Sequence, residues 1–320
     1  MPNVGITSGQ AAADFGALRA LVQSVYAEQS YRPLVIGPDV GGCAHANGFQ
    51  PIMDNHPPVD VQTFHHYVLP GGERNGRAAY TVQNFTDAAL SNTTRDLIAT
   101  YAAIKAADAP RTPMWIGEGA TTYSQPLDGS YAMLYNYLNI LKEGGKQGIA
   151  AFIKQALGGL FYAQRGNATI ATYQPSALYA FAVLWKMTMG VEVHDVEVNG
   201  SDKVIAVNRG LGVALANLDD EDVTVFARCL NGCGGSVHGS SARSKRNSAG
   251  VGGGGNRCQL FLLEPTVAEG VVGKDGLING APLVADLDGS FPAINPTFVD
   301  CAGGIAVPPM ALAFIVLPDE

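Results

Sequence analysis

Polar side chains follow three short apolar runs of the sequence, at the point where each run ends. Asp39 follows the first run, His65 and His66 lie in the second, and Glu118 stands between two glycines directly after the third. Carboxylate and imidazole groups are the side chains that proteins commonly use as nucleophiles and as general acids and bases. The flanking glycines let the backbone turn tightly and leave the carboxylate of Glu118 accessible. A single glutamate in a turn is usually only solvated, so the prediction of a site depends on the three clusters together.

These clusters are placed by an alternation of extended and helical patterns over the first 190 residues. Apolar runs at 34–36, 61–68, 114–116 and 149–157 predict strands, although the composition of the last run would also suit a helix. The segments between them repeat apolar residues at helical spacing. Such alternation predicts parallel strands joined by crossover helices, and therefore an α/β fold. Functional residues of such folds gather at the C-terminal ends of the strands. Because successive residues of a strand alternate faces, at most one of His65 and His66 can point at this edge.

The first predicted helix begins at Thr7-Ser8-Gly9-Gln10, which has the Thr-x-x-Gln form of a capping box. After it, Phe15, Leu18, Val22 and Val25 recur every three or four residues and predict one apolar helix face.

The pattern changes near residue 190. Short β-rich runs separated by turn residues continue from there to the end of the chain and predict a β-sandwich. The Gly-, Ser- and Arg-rich segment 231–256 predicts a disordered loop insertion within it. The sequence thus predicts an α/β domain over 1–190 and an all-β domain over 191–320.

Composition excludes several functional classes. The formal net charge of −8 argues against nucleic acid or anionic lipid as the main partner, and no run of 18 or more apolar residues predicts a membrane-spanning helix. The N-terminus lacks the pattern of a signal peptide. No cofactor or metal is predicted: Cys229, Cys233, Cys258 and His238 match no common zinc spacing and are better explained as thiols or a local disulfide. A metal enzyme that uses the four histidines His45, His56, His65 and His66 is a low-ranking alternative.

Three motifs carry a family resemblance. The motifs are Gly37-Pro38-Asp39-Val40-Gly41, Thr63-Phe64-His65-His66-Tyr67 and Trp115-Ile116-Gly117-Glu118. In order and spacing they resemble the fifth, sixth and seventh barrel strands of the heparanase-like glycoside hydrolases of family 79. The likeness covers most of the chain outside 231–256. It implies a retaining β-glucuronidase or heparanase-like enzyme with a (β/α)₈ TIM barrel and an appended β-sandwich. The chain is then expected to hold the C-terminal half of the barrel, strands five to eight, followed by the sandwich.

The resemblance also implies roles for individual residues. Glu118 matches the catalytic nucleophile, and His65, Asp39 and Tyr162 match positions near the substrate. Gly42 stands where heparanase has a glutamine, and an arginine after the sixth strand has no clean counterpart among Gly72, Glu73 and Arg74. These departures argue against recognition of a sulfated heparan chain.

A retaining glycosidase also needs a second carboxyl group, which acts as general acid and then as general base. The family places this glutamate in an Asn-Glu-Pro-Asn motif, and Met1 stands in its position here. The sequence therefore looks like an N-terminally truncated fragment, inactive by itself, whose open barrel edge could self-associate. The competing interpretation is a non-catalytic carbohydrate-binding or interaction protein derived from the same fold. The implied partner is a uronic-acid-containing polysaccharide or glycoside, and the implied location is secreted, lysosomal, vacuolar or membrane-associated.

Overall fold

The computed structural model describes two compact units. The described residues are 5–40, 46–69, 81–121, 129–154, 159–164, 172–194, 196, 198, 203–230, 234–240, 257–267, 270–286 and 290–318. Unit 1 comprises Met1–Asn75, Asn92–Ser124 and Glu143–Gln155, and unit 2 comprises Gly76–Ser91, Gln125–Lys142 and Ala156–Glu320. The predicted domain boundary at residue 190 stays a prediction.

Unit 1 is built on a four-stranded parallel sheet with the strand order β1-β2-β3-β4. The strands are β1 (Ile36–Val40), β2 (Val61–Tyr67), β3 (Met114–Ala120) and β4 (Ile149–Phe152). The helices that precede or connect these strands along the chain are α1 (Ser8–Val25), α2 (Ala46–Met53), α3 (Val82–Thr86), α4 (Ala88–Asp108) and α5 (Met133–Lys146). Of these, α3 and most of α5 belong to unit 2. The predicted α/β pattern is confirmed for this part of the chain, and the fourth strand is shorter than the predicted run 149–157.

An aromatic cluster fixes one face of this sheet. Phe64 of β2 is fully buried and stacks on Tyr101 of α4 with ring centroids 3.9 Å apart. Phe49 of α2 meets Tyr101 edge-on at 5.2 Å. Such aromatic contacts stabilise the fold by more than the burial of their apolar area alone, so this face of β2 packs against the helices. The residues of β2 that alternate with Phe64, namely Thr63, His65 and Tyr67, consequently belong to the opposite face.

The first helix confirms one part of its prediction and corrects another. The hydroxyl of Thr7 accepts a hydrogen bond from the Gln10 amide at 3.1 Å, as a capping residue should. The Gln10 side chain, however, donates to Asp14 instead of completing the box. Phe15 packs over Gly37 of β1, where an added Cβ would overlap its ring, whereas Leu18 and Val25 are exposed. The predicted apolar face of α1 is therefore only partly buried within unit 1.

A charged clamp joins the end of the α1 region to the start of β2. Asp60 accepts two hydrogen bonds from the guanidinium of Arg32 at 3.0 and 3.1 Å and one from the Val35 amide at 2.9 Å. Arg19 of α1 also lies 2.9 Å from this carboxylate. The hydrogen bonds from Arg32, followed by that from Val35 and the charge of Arg19, lower the pKa of Asp60 below its usual value.

Unit 2 contains three antiparallel sheets and the helix α6 (Ala177–Thr188). The largest sheet has the order β14-β13-β12-β17-β9-β8-β7, with β15 paired to β12, and the second has the order β11-β10-β16. The third is the hairpin of β5 (Phe161–Gln164) and β6 (Thr172–Pro175). The remaining strands are β7 (Val193–His194), β8 (Val204–Arg209), β9 (Gly212–Asn217), β10 (Val223–Leu230), β11 (Gly234–Ser240), β12 (Arg257–Pro265), β13 (Gly276–Ile278), β14 (Ala281–Pro282), β15 (Thr297–Asp300), β16 (Ile305–Val307) and β17 (Leu312–Val316).

The core of unit 2 draws on the two larger sheets. Val213 and Ile315 of the largest sheet belong to the same buried cluster as Val225 and Val307 of the second sheet. Helix α6 packs on the largest sheet through Phe181, whose ring meets Phe314 edge-on at 5.6 Å. These antiparallel sheets confirm that β-structure dominates the C-terminal part of the chain.

The cysteines and the predicted insertion differ from expectation. Cys258 and Cys301 form a disulfide that links β12 to the loop after β15, so the zinc alternative that included Cys258 is wrong. Within the segment 231–256, Gly234–Ser240 form β11 and pair with β10, because their backbone completes the ladder of a neighbouring strand. The rest of this segment lies outside the described residues. None of the helices in the described part of the chain combines the length and the hydropathy needed to cross a bilayer.

Candidate active site

Four polar side chains from three adjacent strands of unit 1 meet at one place. The hydroxyl of Tyr67 donates a hydrogen bond to Oε1 of Glu118. The other carboxylate oxygen, Oε2, lies 3.7 Å from Nδ1 of His65. On the far side of the same ring, Nε2 of His65 lies 3.1 Å from Oδ2 of Asp39. One imidazole is thus flanked by two carboxylates, and one of those carboxylates is held by a phenol.

The strand register explains how Glu118 reaches this face. Phe64 is paired with Ile116 but His65 is paired with Glu118, so Gly117 is an extra residue of β3 with no partner on β2. Without this bulge Glu118 would stand opposite His66, because a shift of one residue moves a side chain to the other face of a sheet. The bulge therefore turns Glu118 away from the helix-packed face and toward His65.

A second bulge at the same level presents Asp39. Pro38 is paired with Thr63 and Val40 with Phe64, so Asp39 is the extra residue of β1. Its backbone has φ of 52°, in the left-handed region that aspartate tolerates better than most residues. Its carboxylate extends toward Gly117, where an added Cβ would overlap Oδ1 of Asp39. Glycine at position 117 thus supplies both the bulge and the space for this carboxylate.

The side chains of the site differ in their exposure. That of Asp39 is 49% exposed, whereas those of His65 and Glu118 are 17% and 21% exposed. Asp39 is therefore the most accessible of the three, while the histidine and the glutamate are partly shielded from water. Such shielding strengthens the electrostatic interactions among these groups.

Of the residues predicted for the site, the structure brings Asp39, His65 and Glu118 together. His66 is buried on the opposite face of β2, beside Phe64, as the alternation of faces predicts. Tyr162 lies on β5 in unit 2, opposite Gln174, and its side chain is outside the described part of the structure. The roles predicted for these residues stay predictions.

Sequence reasoning missed Tyr67 and the second function of Gly117. Tyr67 stands two residues after His65, and on a strand that spacing places both on one face, so the signal was present. No sequence pattern indicates that Gly117 is a bulge, since its glycine looks like an ordinary turn residue.

The arrangement suits a carboxylate nucleophile. Tyr67 holds one oxygen of Glu118 and so fixes the plane of the carboxylate, and His65 supplies a polar neighbour for the second oxygen. Among the described residues, no group of three or more His, Cys, Asp or Glu side chains has the arrangement of a metal site. His56 is exposed and outside the site, and His45 is outside the described residues.

Comparison with known proteins shows which proteins the chain resembles. Residues 3–141 match the family model "Glycosyl hydrolase family 79, N-terminal domain". The chain is 26% identical over 325 residues to a protein named baicalin-beta-D-glucuronidase from Scutellaria baicalensis, which covers 98% of the chain and 56% of that protein. It is 24% identical over 328 residues to heparanase-like protein 2 of Arabidopsis thaliana, with 95% and 59% covered. It is also 26% identical over 333 residues to a mouse protein named inactive heparanase-2, with 98% and 52% covered.

Solved structures agree at the level of the fold. A 4-O-alpha-L-rhamnosyl-beta-D-glucuronidase from Fusarium oxysporum matches with a TM-score of 0.57 at 11% identity, over 96% of this chain and 65% of that chain. An arabinofuranosidase of family 51 from Xanthomonas axonopodis matches with a TM-score of 0.58 at 14% identity, over 96% and 63%. Both are glycosidases by name.

The sequence matches support the glycoside hydrolase type. Residues 3–141 match glycosyl hydrolase family 79, and the chain resembles heparanase-like members of that family. The chain spans just over half the length of the curated relatives to which it is matched.

Proposed function

We propose that the chain is part of a retaining glycosidase that acts on β-glucuronides, with Glu118 as the catalytic nucleophile. The proposal rests on the placement of the Glu118 carboxylate. The bulge at Gly117 puts it on the same face of the sheet as His65, and the hydroxyl of Tyr67 donates a hydrogen bond to it. Two matched proteins, from Scutellaria baicalensis and Fusarium oxysporum, are named glucuronidases, which favours a uronic-acid glycoside as the substrate.

In this mechanism an oxygen of Glu118 attacks the anomeric carbon as the bond to the leaving oxygen breaks. The leaving group departs with the bonding electron pair, and a glycosyl ester on Glu118 remains. Water then cleaves this ester and regenerates the carboxylate. Tyr67 orients the carboxylate for the attack, so little reorganisation is needed at the moment of reaction.

Retention requires a second carboxyl group about 5 Å from the nucleophile. Asp39 is the other carboxylate at this site, but it faces His65 and lies on a neighbouring strand, so we do not assign it the acid–base role. The acid–base group is proposed to come from residues other than those described. The described part of the chain is therefore expected to be inactive in steady turnover by itself.

We further propose that unit 1 contributes strands five to eight of a (β/α)₈ barrel and that the β-rich part forms a sandwich. The parallel order of β1 to β4 and the buried cluster shared by two antiparallel sheets support this arrangement. A substrate contact by Tyr162 belongs to the same proposal.

The disulfide between Cys258 and Cys301 supports passage through an oxidising compartment, because disulfides are rare in the cytosol. We therefore propose a secreted, lysosomal or vacuolar location for the protein.

A fluorinated substrate tests the nucleophile without the acid–base group. A 2-deoxy-2-fluoro-β-glucuronyl fluoride needs no protonation of its leaving group, and its glycosyl-enzyme is hydrolysed slowly. The expected result is an adduct on the peptide that contains Glu118, absent from the Glu118→Gln variant and present in an Asp96→Asn control on the exposed face of α4. An adduct on another residue, or no adduct at all, contradicts the proposal.

Turnover of 2,4-dinitrophenyl β-glucuronide tests the missing acid–base group. Azide attacks the glycosyl ester as an anion and needs no general base, so we expect turnover to require azide and to be lost in Glu118→Gln. General acid–base catalysis typically contributes about 10²–10⁴-fold, which sets the size of the azide effect. Steady turnover without azide would show that another group serves as acid–base.

A non-catalytic carbohydrate-binding protein is the second candidate function. The similarity to proteins named inactive heparanase-2 favours it. In that case the fluoride would label neither the chain nor its variants, while glucuronides would still bind.

A further inference from the structure

We propose that Asp39 is a positioning residue for His65, and that it thereby determines which ring nitrogen faces the nucleophile. This inference rests on the proposed role of Glu118 and assigns Asp39 a role other than contact with the substrate.

The first observation is that Nε2 of His65 has no hydrogen-bond partner in the described structure. This nitrogen is buried, and no described acceptor is aligned with it in a hydrogen bond. Oδ2 of Asp39 is 3.1 Å away, close enough to accept a proton from it after a small rotation of the ring. A buried ring nitrogen without a partner costs free energy, so the contact with Asp39 is favoured.

The second observation is that the backbone at Asp39 and at Gly117 has unusual features that allow this contact. Asp39 is the bulged residue of β1 and has a positive φ, which costs energy for a residue with a side chain. The carboxylate reaches across β2 to the space left by Gly117 of β3. A residue whose only task was to meet a ligand in solvent would need neither the strained conformation nor this space.

The consequence concerns the proton on the ring. An ionised carboxylate can only accept hydrogen bonds, so Asp39 favours the form of His65 that carries its hydrogen on Nε2. Nδ1 is then the ring nitrogen without a hydrogen, and Nδ1 is the atom that lies 3.7 Å from Oε2 of Glu118. In the described structure the titratable groups beside this ring are Asp39 from β1 and Glu118 from β3, and Tyr67 from β2 donates to Glu118.

The decisive measurement is NMR of the whole chain labelled with ¹⁵N in the histidine rings. At neutral pH the Nε2–H of His65 should give a hydrogen-bonded, exchange-protected signal, which a His65→Gln variant assigns. The signal should be lost in Asp39→Ala and retained in Glu118→Gln and in the Asp96→Asn control. A missing signal in the unmodified chain, or its survival in Asp39→Ala, overturns the proposal.

A second measurement separates positioning from substrate binding. Asparagine keeps the shape of Asp39, tolerates its φ and removes only the charge, so Asp39→Asn is a conservative variant. With the fluorinated glucuronide, we expect about a tenfold lower maximal rate of labelling of Glu118 with an almost unchanged half-saturating concentration. A tenfold higher half-saturating concentration with an unchanged maximal rate would instead identify Asp39 as a substrate-binding residue and overturn the proposal.

The two proposals fail in different ways. If the unmodified chain forms no adduct on Glu118, the proposed function fails, and the NMR signal still decides whether Asp39 positions His65. If the adduct forms but the NMR signal does not depend on Asp39, Glu118 remains the proposed nucleophile and the positioning role of Asp39 is wrong.

Discussion

At the scale of single residues, Glu118 is distinguished from a solvent-exposed glutamate by its neighbours. A carboxylate that accepts a hydrogen bond from Tyr67 and lies beside His65 has a defined orientation, whereas a solvated carboxylate samples many. Orientation of this kind is what a nucleophile needs, because attack requires a short distance and a correct angle to the anomeric carbon.

Tyr67→Phe removes only the hydroxyl that holds Glu118. We expect the maximal rate at which the fluorinated glucuronide labels Glu118 to fall about 10- to 100-fold, since hydrogen bonds to charged groups contribute roughly 1.5–3 kcal/mol. The rate is measured by mass spectrometry against time. Tyr173→Phe, at an exposed position of β6, is the matched control and should label like the unmodified chain. Equal rates for Tyr67→Phe and the control would remove Tyr67 from the mechanism.

At the scale of elements, the site depends on two bulges that flank a regular strand. Asp39 on β1 and Gly117 on β3 are both extra residues relative to β2, and each redirects a carboxylate toward His65. Bulges at sheet positions near active sites commonly re-aim a side chain in this way.

Gly117→Ala tests the space between the two bulges. The added Cβ would overlap Oδ1 of Asp39 and lie 3.1 Å from Cβ of Thr63, so we expect a loss of about 1–3 kcal/mol in the free energy of unfolding. Urea unfolding measures this loss. Gly5→Ala is the control, because nothing lies within 4 Å of a Cβ there. Adding Asp39→Ala should restore part of the stability, and a fully stable Gly117→Ala variant would show that Asp39 moves without cost.

The clamp at Asp60 gives unit 1 a specific pH dependence. Because the pKa of Asp60 is lowered in the folded state, its stabilisation is present above the pKa of the unfolded chain, about 4, and is lost as the pH falls through the lower folded value. We expect Asp60→Asn to lose about 1 kcal/mol at neutral pH and to differ less from the unmodified chain in acid. Thermal unfolding between pH 3 and 7 measures both. Parallel curves for the two proteins over this range would contradict the expectation.

At the scale of the whole molecule, unit 1 exposes apolar surface beside an edge strand. The exposed apolar side chains are Leu18, Leu21 and Val25 of α1, Leu34, and Ile36 of β1. Among the described strands, β1 pairs with β2 alone. Exposed apolar clusters and unpaired strand edges are sites where protein chains associate.

We therefore expect the chain to self-associate in solution through this surface. Light scattering after size-exclusion chromatography should give a mass above 33.4 kDa that rises with concentration. Leu21→Ser combined with Val25→Ser should lower the mass, whereas Val267→Ser, a fully exposed position of unit 2, should not. A monodisperse monomer at all concentrations would show that this surface does not bind a second copy.

The sequence by itself determined the class of fold and the neighbourhood of the site. Apolar runs separated by helical periodicity were enough to predict parallel strands, because each pattern reports burial along one short element. The positions of Asp39, His65 and Glu118 near the C-terminal ends of the strands followed from the same runs, but β1 and β3 extend past these runs and include Asp39 and Glu118 themselves. The alternation of faces also correctly separated His65 from His66.

Only the tertiary structure decided which carboxylates face the histidine. The sequence has no signal for a one-residue register shift, because a bulge is fixed by how neighbouring strands pair and not by the residues of one strand. Three other features likewise depend on groups distant in sequence. They are the space at Gly117, the exposed face of α1 and the pairing of Cys258 with Cys301. Burial and register are properties of the assembled sheet, so they appear only when its strands are placed together.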